Sequence, residues 1–156
     1  MNARDLIRAS EGTRFAAYDD ATGRTVPAGG SCQGIITIGN GHTGPDVYPG
    51  LIITQQECDH LLEQDEAIAC RAACGVYGPD EWSRLDVVRQ AALIDMAYNM
   101  GQHRLAGFLK MLHAMHTGDW QSAHDEALGS VWARQVGRRA DRDAKMLLTG
   151  EWPATP

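Results

Sequence analysis

The fold is decided by the stretch EGTRFAAYDD at residues 11–20 and by IITIGNGH at residues 35–42. Between residues 13 and 42, short apolar runs are interrupted by Asp-Asp, Thr-Gly and Gly-Asn-Gly, and this punctuation is typical of β-hairpins and turns. Period-two alternation places Thr37 on the face of its strand opposite to its two isoleucine neighbours. We therefore predict the β-containing region of the chain here.

Helical patterns occupy the chain on both sides of this region. Asn2 can cap a short first helix that stops at Gly12, which leaves Glu11 in its last turn. The segment TQQE at residues 54–57 is a capping box, and it predicts a long helix that ends near Gly75. Further helices are predicted from Ser83 to Gly101 and at residues 106–116, 119–128, 130–135 and 138–149.

These elements predict an α+β, mainly α fold with two lobes in one module of residues 1–156. A small β-hairpin lobe is expected at residues 13–53, a long connecting helix at 54–75 and a helical C-terminal lobe at 80–156. A chain of this length buries about two-thirds of the surface that its unfolded form exposes. Neither metals nor disulfides are therefore needed for folding.

The charge of the chain argues against a nucleic-acid partner. The net charge is −6, whereas non-specific nucleic-acid binding needs a basic surface. Aspartates interleave with the one basic run, which predicts a solvated helix face. The run contains Arg134, Arg138, Arg139, Arg142 and Lys145.

No apolar stretch approaches the roughly 18–20 residues that are needed to cross a bilayer. Charges interrupt the apolar residues of the N-terminal segment MNARDLIR, so we expect neither a signal peptide nor a transmembrane segment. A stable association with membranes is not expected either.

The cysteines do not indicate a metal site. They are Cys32, Cys58, Cys70 and Cys74, and no pair has the spacing of zinc ligands. We expect free, partly buried thiols, with a disulfide formed after release from the cell as the alternative. His113 and His116 lie three residues apart, but no third ligand has suitable spacing. We expect no metal and no cofactor.

Two carboxylates have environments that suit acid–base chemistry. A carboxylate in the last turn of a helix lies at the negative end of the helix dipole, which disfavours ionisation, so Glu11 is suited to be an acid. Asp20 follows a strand and enters a turn, where it can stay ionised. Glycoside hydrolysis uses two carboxyl groups in different environments. Asp19 would take the base role if the strand register shifted, but Asp20 is preferred.

Three short motifs, Glu11-Gly12, Tyr18-Asp19-Asp20 and TIGNGH at residues 37–42, together resemble the signature of the phage-type lysozymes of glycoside hydrolase family 24. The resemblance continues in order through the chain, from Gln64-Asp65 to TGEW at residues 149–152. It implies a lysozyme-like two-lobe fold. It also implies an endolysin that hydrolyses the β-1,4 bond between N-acetylmuramic acid and N-acetylglucosamine of bacterial peptidoglycan and so lyses the host cell.

The resemblance assigns roles to individual residues. Glu11 would be the general acid, Asp20 would position or deprotonate water, and Thr37 would help to hold that water in an inverting reaction. His42 is expected to form a structural ion pair with Asp65. The substrate contacts implied are Gly41, Thr43, Tyr98, Met111 and Glu126.

This chain departs from the T-even phage lysozymes in its substrate region. It carries an insertion at residues 26–34 and a shorter stretch at residues 43–53. Tyr98, Met111 and Glu126 stand where the T-even lysozymes have Phe, Ser and Asn. The catalytic residues therefore carry over more directly than the substrate contacts.

The resemblance also implies a route to the substrate. We expect a monomer that accumulates in the host cytoplasm and reaches the periplasm through a separate holin-type pore. Two other functions fit the same sequence. One is a lytic transglycosylase on the same polymer, in which Asp20 and Thr37 would be idle, and the other is a catalytically silent peptidoglycan-binding or bacteriocin-like domain.

Overall fold

The computed structural model describes residues 1–155 and has an α+β, mainly α fold, as the sequence predicts. In chain order the elements are α1 (Ala3–Glu11), β1 (Arg14–Asp19), β2 (Ile36–Gly39), α2 (Gln55–Tyr77), α3 (Pro79–Trp82), α4 (Val87–Ala106), α5 (Leu109–Thr117), α6 (Trp120–Leu128), α7 (Val131–Val136) and α8 (Arg138–Thr149). The chain divides into two compact units. The hairpin unit comprises Ile7–Asp65, and the helical unit comprises Met1–Leu6 with the chain from Glu66 onward.

The hairpin unit is built on the antiparallel pair β1 and β2, where the sequence predicts β structure. Tyr18 lies opposite Thr37, and Asp19 lies opposite Ile36. Thr37 is buried rather than open to solvent. One small apolar cluster supports the strands, and it contains Ala17, Ile38, Val47, Ile53 and Cys58.

Local hydrogen bonds confirm the predicted starts of α1 and α2. The backbone N–H of Asp5 donates to Asn2 Oδ1 over 3.1 Å. Thr54 Oγ1 accepts from the backbone N–H of Glu57 at 3.2 Å, and the Glu57 carboxylate accepts from the backbone N–H of Thr54 at 2.7 Å. This reciprocal pair is the capping box. Helix α2 ends at Tyr77, two residues after the end that the sequence predicts near Gly75.

The helical unit differs from the sequence prediction at the start of α4. This helix begins at Val87 and not at Ser83, because the Asp86 side chain accepts from the first free N–H groups. The residues just upstream form the short α3 instead. The sequence predicts that this helix ends at Gly101. The structure breaks it there, with a φ of 80° that a residue with a side chain rarely adopts, but α4 resumes after the break and continues to Ala106.

The remaining helices pack around one another within this unit. Helix α8 packs against α4 and α6, and α5 packs against α6. The prediction of a solvated basic face on α8 is wrong for two of its arginines. The side chains of Arg139 and Arg142 are only 8% and 12% exposed, because both bind the buried carboxylate of Asp95. In residues 1–155, no helix is both long and apolar enough to cross a membrane.

Candidate active site

Glu11 lies where the sequence places it, at the last residue of α1. The helix closes there through a hydrogen bond from the Gly12 N–H to the Arg8 carbonyl, 3.1 Å long. The turn Gly39-Asn40-Gly41 lies close to the Glu11 carboxyl. A β-carbon at Gly41, whose φ is +93°, would lie 3.5 Å from Glu11 Oε2. A β-carbon would fit at that distance, so it is the positive φ of Gly41 that favours glycine in this turn.

Asp20 and Thr37 are linked through the backbone of a single residue, Ile35. The Ile35 N–H donates to Asp20 Oδ1 over 2.6 Å. The Ile35 carbonyl accepts from the Asp20 N–H and from Thr37 Oγ1, each at 3.1 Å. A β-carbon at Gly34 would collide with Asp20 Oδ1. The Asp20 carboxylate is thus held just past the end of β1 by the same residue whose carbonyl accepts from the Thr37 hydroxyl.

Tyr18 connects the environments of Glu11 and Asp20. Burial raises the pKa of Tyr18, the Arg14 guanidinium opposes this rise, and the charges of Glu11 and Asp20 add to it. The Arg14 guanidinium carbon lies 4.1 Å from the centre of the Tyr18 ring. Both carboxylates are therefore near one phenol, whose strand partner is Thr37. Sequence reasoning gave Tyr18 no role, although it lies directly before the two aspartates.

Asp19, the alternative base, is enclosed by the main chain. Its carboxylate accepts from the backbone N–H groups of Gln33, Ala21 and Gly34 at 2.8, 3.0 and 3.0 Å. The bond from Gln33 is the main cause of a pKa of Asp19 below its usual range, because backbone donors favour the ionised form and outweigh the effect of burial. Asp19 therefore organises the loop between the strands, and this geometry favours Asp20 as the residue that faces water.

His42 lies between two carboxylates. Its Nδ1 is 2.8 Å from Asp65 Oδ2, the contact that the sequence predicts, and its Nε2 is 3.1 Å from Asp46 Oδ2. Burial alone would lower the pKa of His42, but the hydrogen bonds and charges of Asp65 and Asp46 outweigh it and raise the pKa. The hydrogen bond from His42 in turn lowers the pKa of Asp46. Sequence reasoning missed Asp46, although a spacing of four residues is a local signal.

The predicted substrate contacts are distributed over both units. Gly41 is partly buried and Thr43 is exposed in the hairpin unit. In the helical unit, Tyr98 is partly buried and Glu126 is exposed. Met111 is 1% exposed and belongs to the core, so it offers no surface for a direct contact with a ligand.

The sequence predicts free, partly buried cysteine thiols and no metal site. Cys32 is exposed, Cys58 is buried, and Cys70 and Cys74 are partly buried, all as free thiols. Among residues 1–155, no group of three or more His, Cys, Asp or Glu side chains is arranged to hold a metal ion.

Comparison with known proteins yields one family and several relatives. The family model described as Phage lysozyme matches residues 8–142. The pre-baseplate central spike protein Gp5 of Enterobacteria phage T4 is 31% identical over 96% of this chain and 28% of its own length. An endolysin of Bacillus phage B103 is 32% identical over 94% of this chain and 52% of its own length.

A third relative matches over nearly its whole length. It is a probable T4-type lysozyme of Dictyostelium discoideum, 24% identical over 94% of both proteins. The chain thus spans about a quarter of the spike protein and about half of the Bacillus phage endolysin. It spans nearly all of the Dictyostelium relative.

Proposed function

Because the chain belongs to the phage lysozyme family, we propose that it is a peptidoglycan hydrolase of the endolysin type. The bond cleaved is the β-1,4 linkage between N-acetylmuramic acid and N-acetylglucosamine. One observation supports this proposal above the others. Glu11 and Asp20 lie in unlike settings. Glu11 ends α1 with its Oε2 3.5 Å from the β-carbon position of Gly41, whereas Asp20 follows β1 in an exposed turn, where the Ile35 N–H holds its carboxylate over 2.6 Å. Glycosidases use two such carboxyl groups for catalysis.

The roles follow from the setting of each group. Glu11, at the last residue of α1, donates its proton to the oxygen of the scissile bond. The Ile35 N–H holds Asp20 Oδ1, so that Oδ2 serves as the acceptor for a proton of the attacking water. The Thr37 hydroxyl donates to the Ile35 carbonyl. Because Thr37 is only 4% exposed, its oxygen lone pairs would hold the same water in an enclosed position and not at the open surface.

The experiment that tests this assignment is Glu11→Gln, which keeps the shape of the side chain and removes its proton. General acid catalysis contributes roughly 100- to 10,000-fold, so lysis of purified cell walls should fall by that factor with little change in melting temperature. Turbidity decay gives the rate, and a thermal melt of the same preparation is the control. A variant with the rate of the wild type would remove Glu11 from the mechanism.

The products decide between the hydrolase and its alternatives. Inverting hydrolysis of a β-linked glycan yields the α-anomer of a new muramic acid reducing end, because water attacks the face opposite the leaving group. NMR of fresh digests should show this anomer first. An anhydro-muramic product would instead identify a lytic transglycosylase, and intact glycan that still binds the protein would identify a silent binding domain.

Delivery and assembly belong to the same proposal. The protein would act as a monomer, accumulate in the host cytoplasm and reach the peptidoglycan through a separate holin-type pore. Expression in a host with an inducible pore protein tests this route, since lysis should follow pore induction and should not occur without it. Lysis in the absence of the pore protein would contradict the route without affecting the enzymatic proposal.

A further inference from the structure

Asn40 is a buried side chain that the proposed mechanism does not use. It lies in the turn between Gly39 and Gly41 and is only 2% exposed, so it cannot touch a bound glycan. Its amide nevertheless joins three separate segments of the hairpin unit: the end of α1, the turn itself and the first part of α2. Such a connection constrains the geometry of whatever the segments carry.

The hydrogen bonds fix the orientation of this amide. Asn40 Nδ2 donates to the Gly12 carbonyl and, over 2.9 Å, to Thr13 Oγ1. Cys58 Sγ lies 3.3 Å from Asn40 Oδ1. Burial raises the pKa of the Cys58 thiol, and the Asp59 charge adds to this against the effect of Arg8, so the sulfur keeps its proton and donates it. A donating thiol requires the amide oxygen opposite it, which leaves the NH2 group for Gly12.

Asn40 is connected to two segments that adjoin Glu11, the end of α1 and the turn at Gly41. Gly12 directly follows Glu11 in the chain, so the bond to its carbonyl holds the end of α1. Gly41 directly follows Asn40, and the position of a β-carbon there would be 3.5 Å from Glu11 Oε2. Asn40 therefore holds together the helix end that carries the carboxyl and the turn that packs against it.

We propose that Asn40 is a positioning residue for the Glu11 carboxyl, and that the Cys58 thiol fixes the orientation of the Asn40 amide. The inference rests on the proposed function, because it assigns Glu11 as the acid. Loss of the amide would let the helix end and the turn move apart, and a displacement of 1 Å can cost on the order of 100-fold in rate. Glycan binding should be unaffected, because neither buried side chain reaches the surface.

The first test is Asn40→Ala, with kcat, KM and the pH profile measured on a soluble peptidoglycan oligomer well below the melting temperature. We expect kcat to fall by about 10- to 100-fold, KM to stay nearly constant and the pH limb that depends on Glu11 to move. A residue with only a structural role would lower the melting temperature and leave kcat and the pH profile of the folded protein unchanged. That result would overturn the inference.

A second pair of variants keeps the inference testable if Asn40→Ala does not fold. Cys58→Ala removes the donor to the amide, whereas Cys58→Ser keeps a hydroxyl donor at the same place. We expect Cys58→Ala to lower kcat by about fivefold, the effect of one hydrogen bond, and Cys58→Ser to restore most of it. Equal kcat values and equal pH profiles for the two variants would overturn the role of the thiol.

Glu11→Gln, measured beside these variants, separates the two proposals. A Glu11→Gln variant with the rate of the wild type would overturn the proposed role of Glu11 and the inference together. An inactive Glu11→Gln, combined with kcat and pH profiles like those of the wild type in Asn40→Ala and Cys58→Ala, would overturn the inference alone.

Discussion

In the hairpin unit the buried carboxylate of Asp19 is surrounded by backbone N–H groups, whereas in the helical unit Asp95 and Asp143 are surrounded by arginine side chains. Arg139 Nε is 2.7 Å from Asp95 Oδ2, and an Arg142 nitrogen is 2.8 Å from Asp143 Oδ1. The side chains of Asp95 and Asp143 are both fully buried. The same functional group is thus buried in two different ways.

The two settings have opposite effects on ionisation. The pKa of Asp19 is lowered, chiefly by the backbone donor of Gln33. The pKa of Asp143 is raised well above its usual range, because burial and the Asp95 charge outweigh the attraction of Arg142. Asp143 Oδ2 is buried without a hydrogen-bond partner among residues 1–155. An unpaired buried oxygen is costly to ionise, so its burial and the raised pKa of Asp143 have the same cause.

The difference shows what each kind of partner provides. Backbone N–H groups stabilise an anion without a cation, so the three amides of Gln33, Ala21 and Gly34 hold the Asp19 carboxylate where the helical unit uses arginine side chains. Arginines are long and charged, so they can join helices that are distant in sequence, as Arg139 and Arg142 of α8 join Asp95 of α4. The first arrangement shapes a loop, and the second joins helices within a core.

The largest expected effect is on the rate of lysis, and it distinguishes Asp20 from its neighbour Asp19. Asp20→Asn should lower the rate of cell-wall lysis by roughly 100- to 10,000-fold, because the amide cannot take a proton from water. Asp19→Asn should instead keep the rate–pH profile and lower the melting temperature. This loss should be present above the unfolded pKa near 3.9 and disappear as pH falls through the lower folded value. An Asp19→Asn protein that is stable but inactive would reverse the assignment.

The next effect concerns the arginine-bound acids. Asp95→Asn should lower the free energy of unfolding by about 3–5 kcal/mol, because it leaves two largely buried guanidinium groups without their shared carboxylate. Urea unfolding at pH 7 measures the change. A loss below about 1 kcal/mol, which is typical of an exposed ion pair, would mean that water reaches this cluster.

Asp143→Asn is the matched control for Asp95→Asn, because the amide imitates a protonated carboxyl. Since the folded pKa of Asp143 is raised, the wild type loses stability as pH rises from the unfolded value near 3.9 towards the folded value. Asp143→Asn should remove this loss, so it should gain stability relative to the wild type between pH 4 and pH 8. The same pH slope in both proteins would show that folding does not raise the pKa of Asp143.

The smallest expected effect concerns His42, where side-chain charges act inside the hairpin unit. His42→Asn should cost about 1.5–3 kcal/mol of unfolding free energy in mildly acidic solution, because hydrogen bonds to charged groups are lost. The folded pKa of His42 is raised, so this stabilisation is full below the unfolded value near 6.5 and is lost as pH rises through the folded value. Melts from pH 4 to pH 9 measure the loss.

Two further variants identify the partner of His42. Asp65→Asn should reproduce most of the effect of His42→Asn, whereas Asp46→Asn should have a smaller effect, because the Asp46 side chain is 59% exposed. If the effects of His42→Asn and Asp65→Asn add at every pH, the two residues do not interact.

Several features were predictable from the sequence alone because they depend on residues close in the chain. The capping box at residues 54–57, the break at Gly101 and the bounds of α8 (Arg138–Thr149) agree with the patterns that predicted them. Glu11 falls in the last turn of α1 for the same reason. A helix end is satisfied by atoms within about four residues, so no knowledge of packing is needed.

Which polar groups are buried together depends on contacts between residues that are far apart in the sequence. Arg139 meets Asp95 across 44 residues of sequence, and Asn40 meets the Gly12 carbonyl across 28. Charges on a helical pattern indicate solvent exposure, because isolated charges are costly to bury, so Arg139 was assigned to the surface. That cost is offset only when another element brings an opposite charge or a hydrogen-bond partner, and this depends on how the helices and turns pack.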